Sequence, residues 1–115
     1  MGLGMQIVYL GFCGTPAIEA EAGVQLLRLG RFSALLLECR LAIELLRFHG
    51  QPLTYEVRLD LVSPSNELYS GGYCESEDAG AAVRAAFDAA VRVLLASGAG
   101  GGRGGRGTAL PARGR

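Results

Sequence analysis

Residues 53–61 read Leu53-Thr-Tyr-Glu-Val-Arg-Leu-Asp-Leu61, with an apolar side chain at every odd position and a polar one at every even position. Because successive side chains of a strand point to opposite faces, this alternation predicts a strand with one buried face and one wet face. Residues 35–45 repeat the pattern, with Leu35, Leu37, Cys39, Leu41, Ile43 and Leu45 forming the apolar row. The link 46–52 contains Gly50 and Pro52 and is short enough for an antiparallel hairpin.

Two further strands flank this hairpin in the sequence. The turn residues 63–66 lead into a third short strand of the meander over 67–73, which Gly71 and Gly72 loosen. Residues 5–10, Met-Gln-Ile-Val-Tyr-Leu, have the composition of a strand, and residues 11–14 end it. The chain therefore encodes four strands.

Two stretches have helical periodicity. Thr15 is a suitable cap and Pro16 a suitable first residue for a helix whose apolar stripe is Ile18, Ala22, Leu26 and Leu29. After the meander, Ser76 precedes Glu77 and Asp78, which are acids favoured in a first turn. The second apolar face then comprises Val83, Phe87, Ala90 and Leu94, and the pattern runs to Gly98.

The order of elements is thus β-α-β-β-β-α, which predicts an α+β fold with a four-stranded mixed sheet and two helices packed on one face. The first crossover is long enough to make the first two strands parallel. We expect one domain over residues 1–97, because 115 residues allow a single core. The predicted core comprises Leu37, Leu41, Ile43, Val57, Leu59, Leu61, Phe87 and Leu94.

Charge divides the chain into two parts. Residues 1–97 hold seven of the eleven arginines and all eleven acids, for a net charge of −4, whereas residues 98–115 hold four arginines and no acid. This second segment, GAGGGRGGRGTALPARGR, is predicted to be a disordered, basic Gly/Arg-rich tail. A basic extension on an acidic body is typical of proteins that contact a polyanion.

The residue types used in catalytic and metal sites do not occur here in a recognisable pattern. Three widely spaced cysteines predict neither a disulfide framework nor a zinc site, and His49 has no partner pattern for catalysis. Gly100, Gly102 and Gly105 match a dinucleotide-binding spacing but follow a helical pattern instead of a strand. We expect no enzymatic activity, no cofactor and no small-molecule substrate. No signal-peptide or membrane-spanning pattern occurs, so we expect a cytoplasmic protein without a membrane partner.

The arginines of the helices allow two interpretations. In the first interpretation, a surface ion-pair ladder is formed by Arg84, Asp88 and Arg92, which are spaced four apart. Arg28 and Arg31 then complement a helix C-terminus. In the second, these arginines form a surface that contacts phosphates.

The succession of segments resembles the short form of the ribosome hibernation promoting factor and ribosome-associated inhibitor family, over residues 5–96. The matching stretches are residues 5–7, a helix that begins Ala17-Ile-Glu-Ala and ends Arg28-Leu-Gly-Arg-Phe32, residues 38–40, Tyr55–Leu61, Glu67-Leu68 and, above all, Glu77–Ala90 with the sequence EDAGAAVRAAFDAA. The fold of that family is similar to the β-α-β-β-β-α order.

This resemblance implies a translation inhibitor that occupies the decoding cleft of the small ribosomal subunit, where tRNA and mRNA bind, under stress or in stationary phase. It implies contact with rRNA through basic residues on the helices and adjoining loops. The residues that match such positions are Arg28, Arg31, Arg84 and Arg92, and we add Arg103 and Arg106 of the tail.

The chain also departs from the family pattern. Val91, Val93 and Leu95 occupy positions where the family commonly has Lys or Arg, and Val24 and Leu27 are apolar where the first helix is usually charged. If these side chains are exposed together, they exceed what a soluble monomer usually leaves open to water. The alternative function is therefore a protein-interaction module on the same fold that self-associates, for example as a homodimer, or binds another protein.

Overall fold

The computed structural model of the chain describes residues 3–96 and has the β-α-β-β-β-α order that the sequence predicts. Its four strands are β1 (Gly4–Leu10), β2 (Glu38–Leu46), β3 (Thr54–Val62) and β4 (Leu68–Ser76). The helices are α1 (Pro16–Leu29), which continues into a 3-10 turn at Gly30–Phe32, and α2 (Ala79–Leu94). The predicted tail, residues 98–115, lies outside the described residues.

The sheet has the order β1-β2-β3-β4 and is mixed, as predicted. Strands β1 and β2 are parallel, with Ile7 opposite Leu41, while the β2–β3 and β3–β4 pairs are antiparallel. A bulge interrupts the last pair between Leu59 and Asp60. Since β1 and β4 run in the same direction and each precedes a helix that returns across the sheet, α1 and α2 run in the same general direction.

The core lies between the sheet and the two helices, because each strand buries only one face. The rows Cys39–Leu41–Ile43 and Val57–Leu59–Leu61 are fully buried and pack against apolar side chains of both helices. The helices contribute Ile18, Ala22, Leu29, Ala82, Val83, Ala86, Phe87, Ala90 and Leu94. Seven of the eight predicted core residues are buried.

The exception is Leu37, whose placement in the core is wrong. It is 53% exposed, and Leu36 is buried in its place. Strand β2 begins at Glu38, so the alternation of the strand does not extend back to residue 35. Residues 30–35 instead form consecutive turns, with Ser33 N–H bonded to Gly30 O and Leu35 N–H to Phe32 O. These turns reset which side of the chain faces the core.

The two helix starts differ in how well the sequence predicted them. Thr15 caps α1, since its Oγ1 accepts from Ile18 N at 3.2 Å, and Pro16 follows as predicted. Strand β4 extends through Ser76, however, so the cap of α2 is Asp78, whose Oδ1 accepts from Ala81 N at 3.2 Å. Glu77 and Asp78 therefore precede the first turn of α2 instead of occupying it.

Helix α2 approaches the sheet closely at Gly72 of β4. A Cβ atom built on Gly72 would lie 2.1 Å from the carbonyl oxygen of Ala86, which belongs to the helix backbone. Both residues are buried, and Ala86 is itself small enough for the close contact. Glycine at position 72 thus permits the seating of α2 on β4.

We expect Gly72→Ala to destabilise the protein by about 2–3 kcal/mol, because a backbone carbonyl cannot move aside as a side chain can. Gly23→Ala is the matched control: Gly23 lies in α1 with no atom within 4 Å of its Cβ position. That substitution should stabilise the protein by ~0.5–1 kcal/mol through helix propensity. Urea unfolding of both variants measures the difference, and equal stability of Gly72→Ala and wild type would refute the close contact.

Candidate RNA-binding surface

A chain of polar contacts joins the two helices along their shared seam. Arg84 Nη1 of α2 donates to Glu21 Oε1 of α1 at 3.2 Å, and Glu21 Oε2 accepts from Gln25 Nε2 at 2.8 Å. Gln25 Oε1 in turn accepts from Arg28 Nη1 at 2.6 Å, and that same guanidinium nitrogen contacts Asp88 Oδ1 of α2 at 2.6 Å. We call these five residues, Glu21, Gln25, Arg28, Arg84 and Asp88, the seam network.

Gln25 is the buried centre of the seam network, and the sequence analysis missed it. It is the one buried polar residue among residues 3–96, and both ends of its amide are hydrogen-bonded, as a buried amide requires. The apolar stripe predicted for α1 included Leu26, which is only half-buried. The available signal was the position of Gln25 in the sequence, three residues after Ala22 and four before Leu29, which places it on the buried side of α1.

The predicted ion-pair ladder along α2 is replaced by pairs between the helices. Asp88 is bonded to Arg28 of α1, and neither Arg84 nor Arg92 is its partner. The side chains of both pairs, Arg28–Asp88 and Arg84–Glu21, are partly open to water. Each arginine can therefore exchange its carboxylate for another partner at little cost in free energy. The arginines of the seam are therefore held in position without being locked.

The four arginines predicted to contact RNA, which we call the arginine surface, all belong to the helix layer. Arg28 and Arg84 are members of the seam network. Arg31 lies in the 3-10 turn, with its guanidinium 4.8 Å from the centre of the Phe32 ring. Arg92 lies in the last turn of α2, and its exposed side chain has no hydrogen bond or ion pair within residues 3–96. Arg103 and Arg106 lie outside the described residues.

Charge is graded along the helix layer. Acids gather toward the first turns of both helices, at Glu19, Glu21, Glu77 and Asp78, whereas Arg28, Arg31 and Arg92 gather toward the last turns. The arrangement complements the helix dipoles, which favour acids at N-termini and cations at C-termini. The cationic side chains that a phosphate could meet on this layer therefore lie toward the C-terminal ends of the helices, and the carboxylates lie toward their beginnings.

The beginnings of the two helices border a cleft of about 590 Å³. Its lining includes Glu21, Glu77 and Asp78 together with Tyr55. Three carboxylates make this cleft unsuited to a phosphate, although helix N-termini are otherwise favourable for anions. Within residues 3–96 no cluster of three or more metal-ligating side chains occurs.

The opposite face of the sheet, which no helix of residues 3–96 covers, is acidic. The strands place five carboxylates and only two arginines on this open face: Glu38, Glu44, Glu56, Asp60 and Glu75, with Arg40 and Arg58. The Tyr73 hydroxyl lies 2.7 Å from Glu56 Oε2 and 2.9 Å from Glu75 Oε2, and these hydrogen bonds raise its pKa above the usual range. An excess of carboxylates on this face opposes the approach of RNA.

The cysteines offer no reactive thiolate in the core. All three are free, and burial, followed by the charge of Glu38, raises the pKa of the Cys39 thiol to about 12. The Cys39 thiol is therefore protonated at neutral pH and behaves as a small apolar group.

The apolar residues expected to be exposed together divide into two groups. Leu27 is 79% exposed and Val24 58%, and Leu95 is also exposed. Val91 and Val93 are half-buried, and Val91 packs against the core. The expectation of exposure is thus confirmed for Val24, Leu27 and Leu95 and is wrong for Val91 and Val93.

Comparison with known proteins finds likeness in structure alone. No protein-family model and no curated protein matches the sequence. Among solved structures, a ribosomal subunit interface protein from Coxiella burnetii matches with a TM-score of 0.67 at 15% identity, covering 82% of this chain and 96% of that one. The N-terminal domain of Thermus thermophilus Protein Y matches with a TM-score of 0.55 at 23% identity, covering 84% and 94%.

These likenesses establish that the chain has the fold of both proteins over most of its length. They confirm the fold implied by the sequence resemblance. Neither helix among residues 3–96 has the length and apolar content needed to span a membrane.

If the seam ion pairs are exchangeable, removing one should change stability little. We expect Asp88→Asn and Glu21→Gln each to change the free energy of unfolding by less than ~1 kcal/mol, because both pairs are partly open to water. Urea unfolding at neutral pH measures this change. A loss of several kcal/mol for Asp88→Asn would show that Arg28 is locked to the fold and is not available to another partner.

Proposed function

We propose that this chain is a non-catalytic, cytoplasmic, ribosome-associated protein that inhibits translation by occupying the tRNA and mRNA cleft of the small subunit. The observation that carries the proposal is the fold shared with a ribosomal subunit interface protein over 82% of the chain. The stress or stationary-phase setting belongs to the same proposal and follows from the sequence resemblance.

The helix layer is the face that we assign to rRNA. It carries the arginine surface, whereas the open face of the sheet carries five carboxylates. Arg31 and Arg92 make no ion pair within residues 3–96, so they contact phosphates without giving up a partner. Arg28 and Arg84 also contact phosphates, but they first give up their ion-pair partners, Asp88 and Glu21 respectively.

Because residues 1–97 carry a net negative charge, the proposed binding to rRNA depends on individual arginines and not on the overall charge of the domain. A domain with a net charge of −4 lacks the general attraction to a polyanion that supports most RNA binding. The fixed arginines of the helices therefore position the domain, and the arginines of the tail, including Arg103 and Arg106, add affinity that depends on salt.

A second function is favoured by a different observation. Leu27 and Val24 lie one turn apart on α1 and are both mostly exposed, as suits a surface that binds another protein. In that case the arginines of the seam are structural, and purified ribosomal subunits do not bind the protein.

Replacement of a seam carboxylate tests the first function against the second. If Arg28 exchanges Asp88 for phosphate, Asp88→Asn removes the competing partner and should tighten binding to small subunits about two- to fivefold. Glu67→Gln removes the same charge from an exposed loop residue that forms no ion pair within residues 3–96, so it should change binding less than twofold. Arg92→Gln should weaken binding.

The measurement is co-sedimentation with purified small subunits at two salt concentrations, with large subunits in parallel. Equal binding by Asp88→Asn and Glu67→Gln would remove Arg28 from the interface. Failure of the wild-type chain to sediment with either subunit would refute the ribosome-associated function and favour the protein-interaction alternative.

A further inference from the structure

Strand β1 forms one edge of the sheet, and its outer side is unpaired within residues 3–96. It is hydrogen-bonded to β2 alone, over seven residues from Gly4 to Leu10. None of the backbone hydrogen bonds outside the regular elements involves β1. A row of backbone N–H and C=O groups is thus open to another strand.

This edge lacks the features by which sheet proteins prevent association. Natural edges carry charges, prolines or bulges, but β1 reads Gly-Met-Gln-Ile-Val-Tyr-Leu and has none of these. It is the only strand of the four without a charged residue. The opposite edge, β4, is protected by the bulge in its pairing with β3 and by Glu75.

The side chains of β1 are incompletely covered on both faces of the sheet. On the helix side Met5, Ile7 and Tyr9 are only half-buried, although their partners in β2 are fully buried. On the open side Val8 is 49% exposed and Leu10 42%. An additional strand alongside β1 would cover both rows.

We propose that β1 pairs antiparallel with β1 of a second copy of this chain, so that two sheets join into one of eight strands. A twofold axis near Ile7 places Val8 opposite Gln6 of the other copy and Tyr9 opposite Met5. Residues that face the helices then meet residues that face the helices, and both helix layers lie on the same side. The strand is self-complementary, as a twofold interface requires.

The self-complementary register of β1 selects a second copy as the occupant. The net charge of −4 on each domain opposes self-association elsewhere, so the contact is confined to surfaces without charge, and β1 is the uncharged strand. A second copy also brings its own half-buried row of Met5, Ile7 and Tyr9 against the first, which an isolated extended peptide does not. The arginine surface on the helices takes no part in the contact.

Sedimentation equilibrium of the full chain, without RNA or ribosomes, tests the proposal. An interface made by two seven-residue strands is small and binds weakly, so the protein concentrations should extend to about 500 µM. Val8→Lys should shift the monomer–dimer equilibrium at least tenfold toward monomer. Leu68→Lys is the matched control, because Leu68 is equally exposed on the open face but belongs to the β4 edge. It should leave the dimer intact, and far-UV circular dichroism verifies that both variants are folded.

A charge-pair experiment identifies the partner as the same strand. Val8→Glu alone should also be monomeric, whereas an equimolar mixture of the Val8→Lys and Val8→Glu chains should restore the dimer, because the two positions lie diagonally across the twofold axis. A monomeric wild type, loss of the dimer in Leu68→Lys, or failure of the mixture to associate would each overturn the proposal. None of these outcomes bears on ribosome binding, which uses the other surface.

Discussion

The close approach of α2 to β4 at Gly72 is the contact on which the rest of the helix layer depends. The Ala86 carbonyl occupies the space that a side chain at position 72 would need. This brings Phe87, Ala90 and Leu94 into the core over β3 and β4, and α1 packs beside α2. The two helices then lie side by side, and their facing polar residues form the seam network.

Seating both helices on one face divides the charges of the domain between two surfaces. Within residues 3–96, the polar rows of the strands carry five of the eleven carboxylates and two arginines on the open face, while Arg28, Arg31, Arg84 and Arg92 belong to the helix layer. The helix layer also holds five carboxylates, so its cations dominate only toward the last turns of the helices, at Arg28, Arg31 and Arg92. The proposed binding of rRNA follows from that division, because neither the net charge nor the open sheet favours a polyanion.

The elements that follow a strict period were predictable from sequence. The alternation in residues 53–61 places Val57, Leu59 and Leu61 on the buried side, and Thr15 with Pro16 starts α1 where predicted. Prediction failed at Leu37 because turns hydrogen-bonded over three residues precede β2, and a turn does not preserve the alternation of a strand. The start of α2 was predicted too early for a similar reason. Pairing with β3 extends β4 to Ser76, so the helix begins later and Asp78 is its N-cap.

The arginines were predictable as a set, but their partners were not. Arg28 and Asp88 are 60 residues apart in the chain, and Arg84 and Glu21 are 63 apart, so no local spacing indicates either pair. Spacing of four residues suggested a ladder within α2, whereas the parallel seating of the helices supplied nearer partners across the seam. Gln25 is buried for the same reason, as the residue that links the two pairs.

The central claim is that the helix layer faces the ribosome and the open sheet does not. Hydroxyl-radical footprinting of side chains, with and without purified small subunits, tests it most directly, since exposed apolar residues report on each face. The account predicts protection of Leu27 and Leu95 on the helices, with Tyr73 and Leu68 on the open sheet equally reactive in both states. Protection of Tyr73 and Leu68 with unchanged reactivity of Leu27 and Leu95 would contradict it.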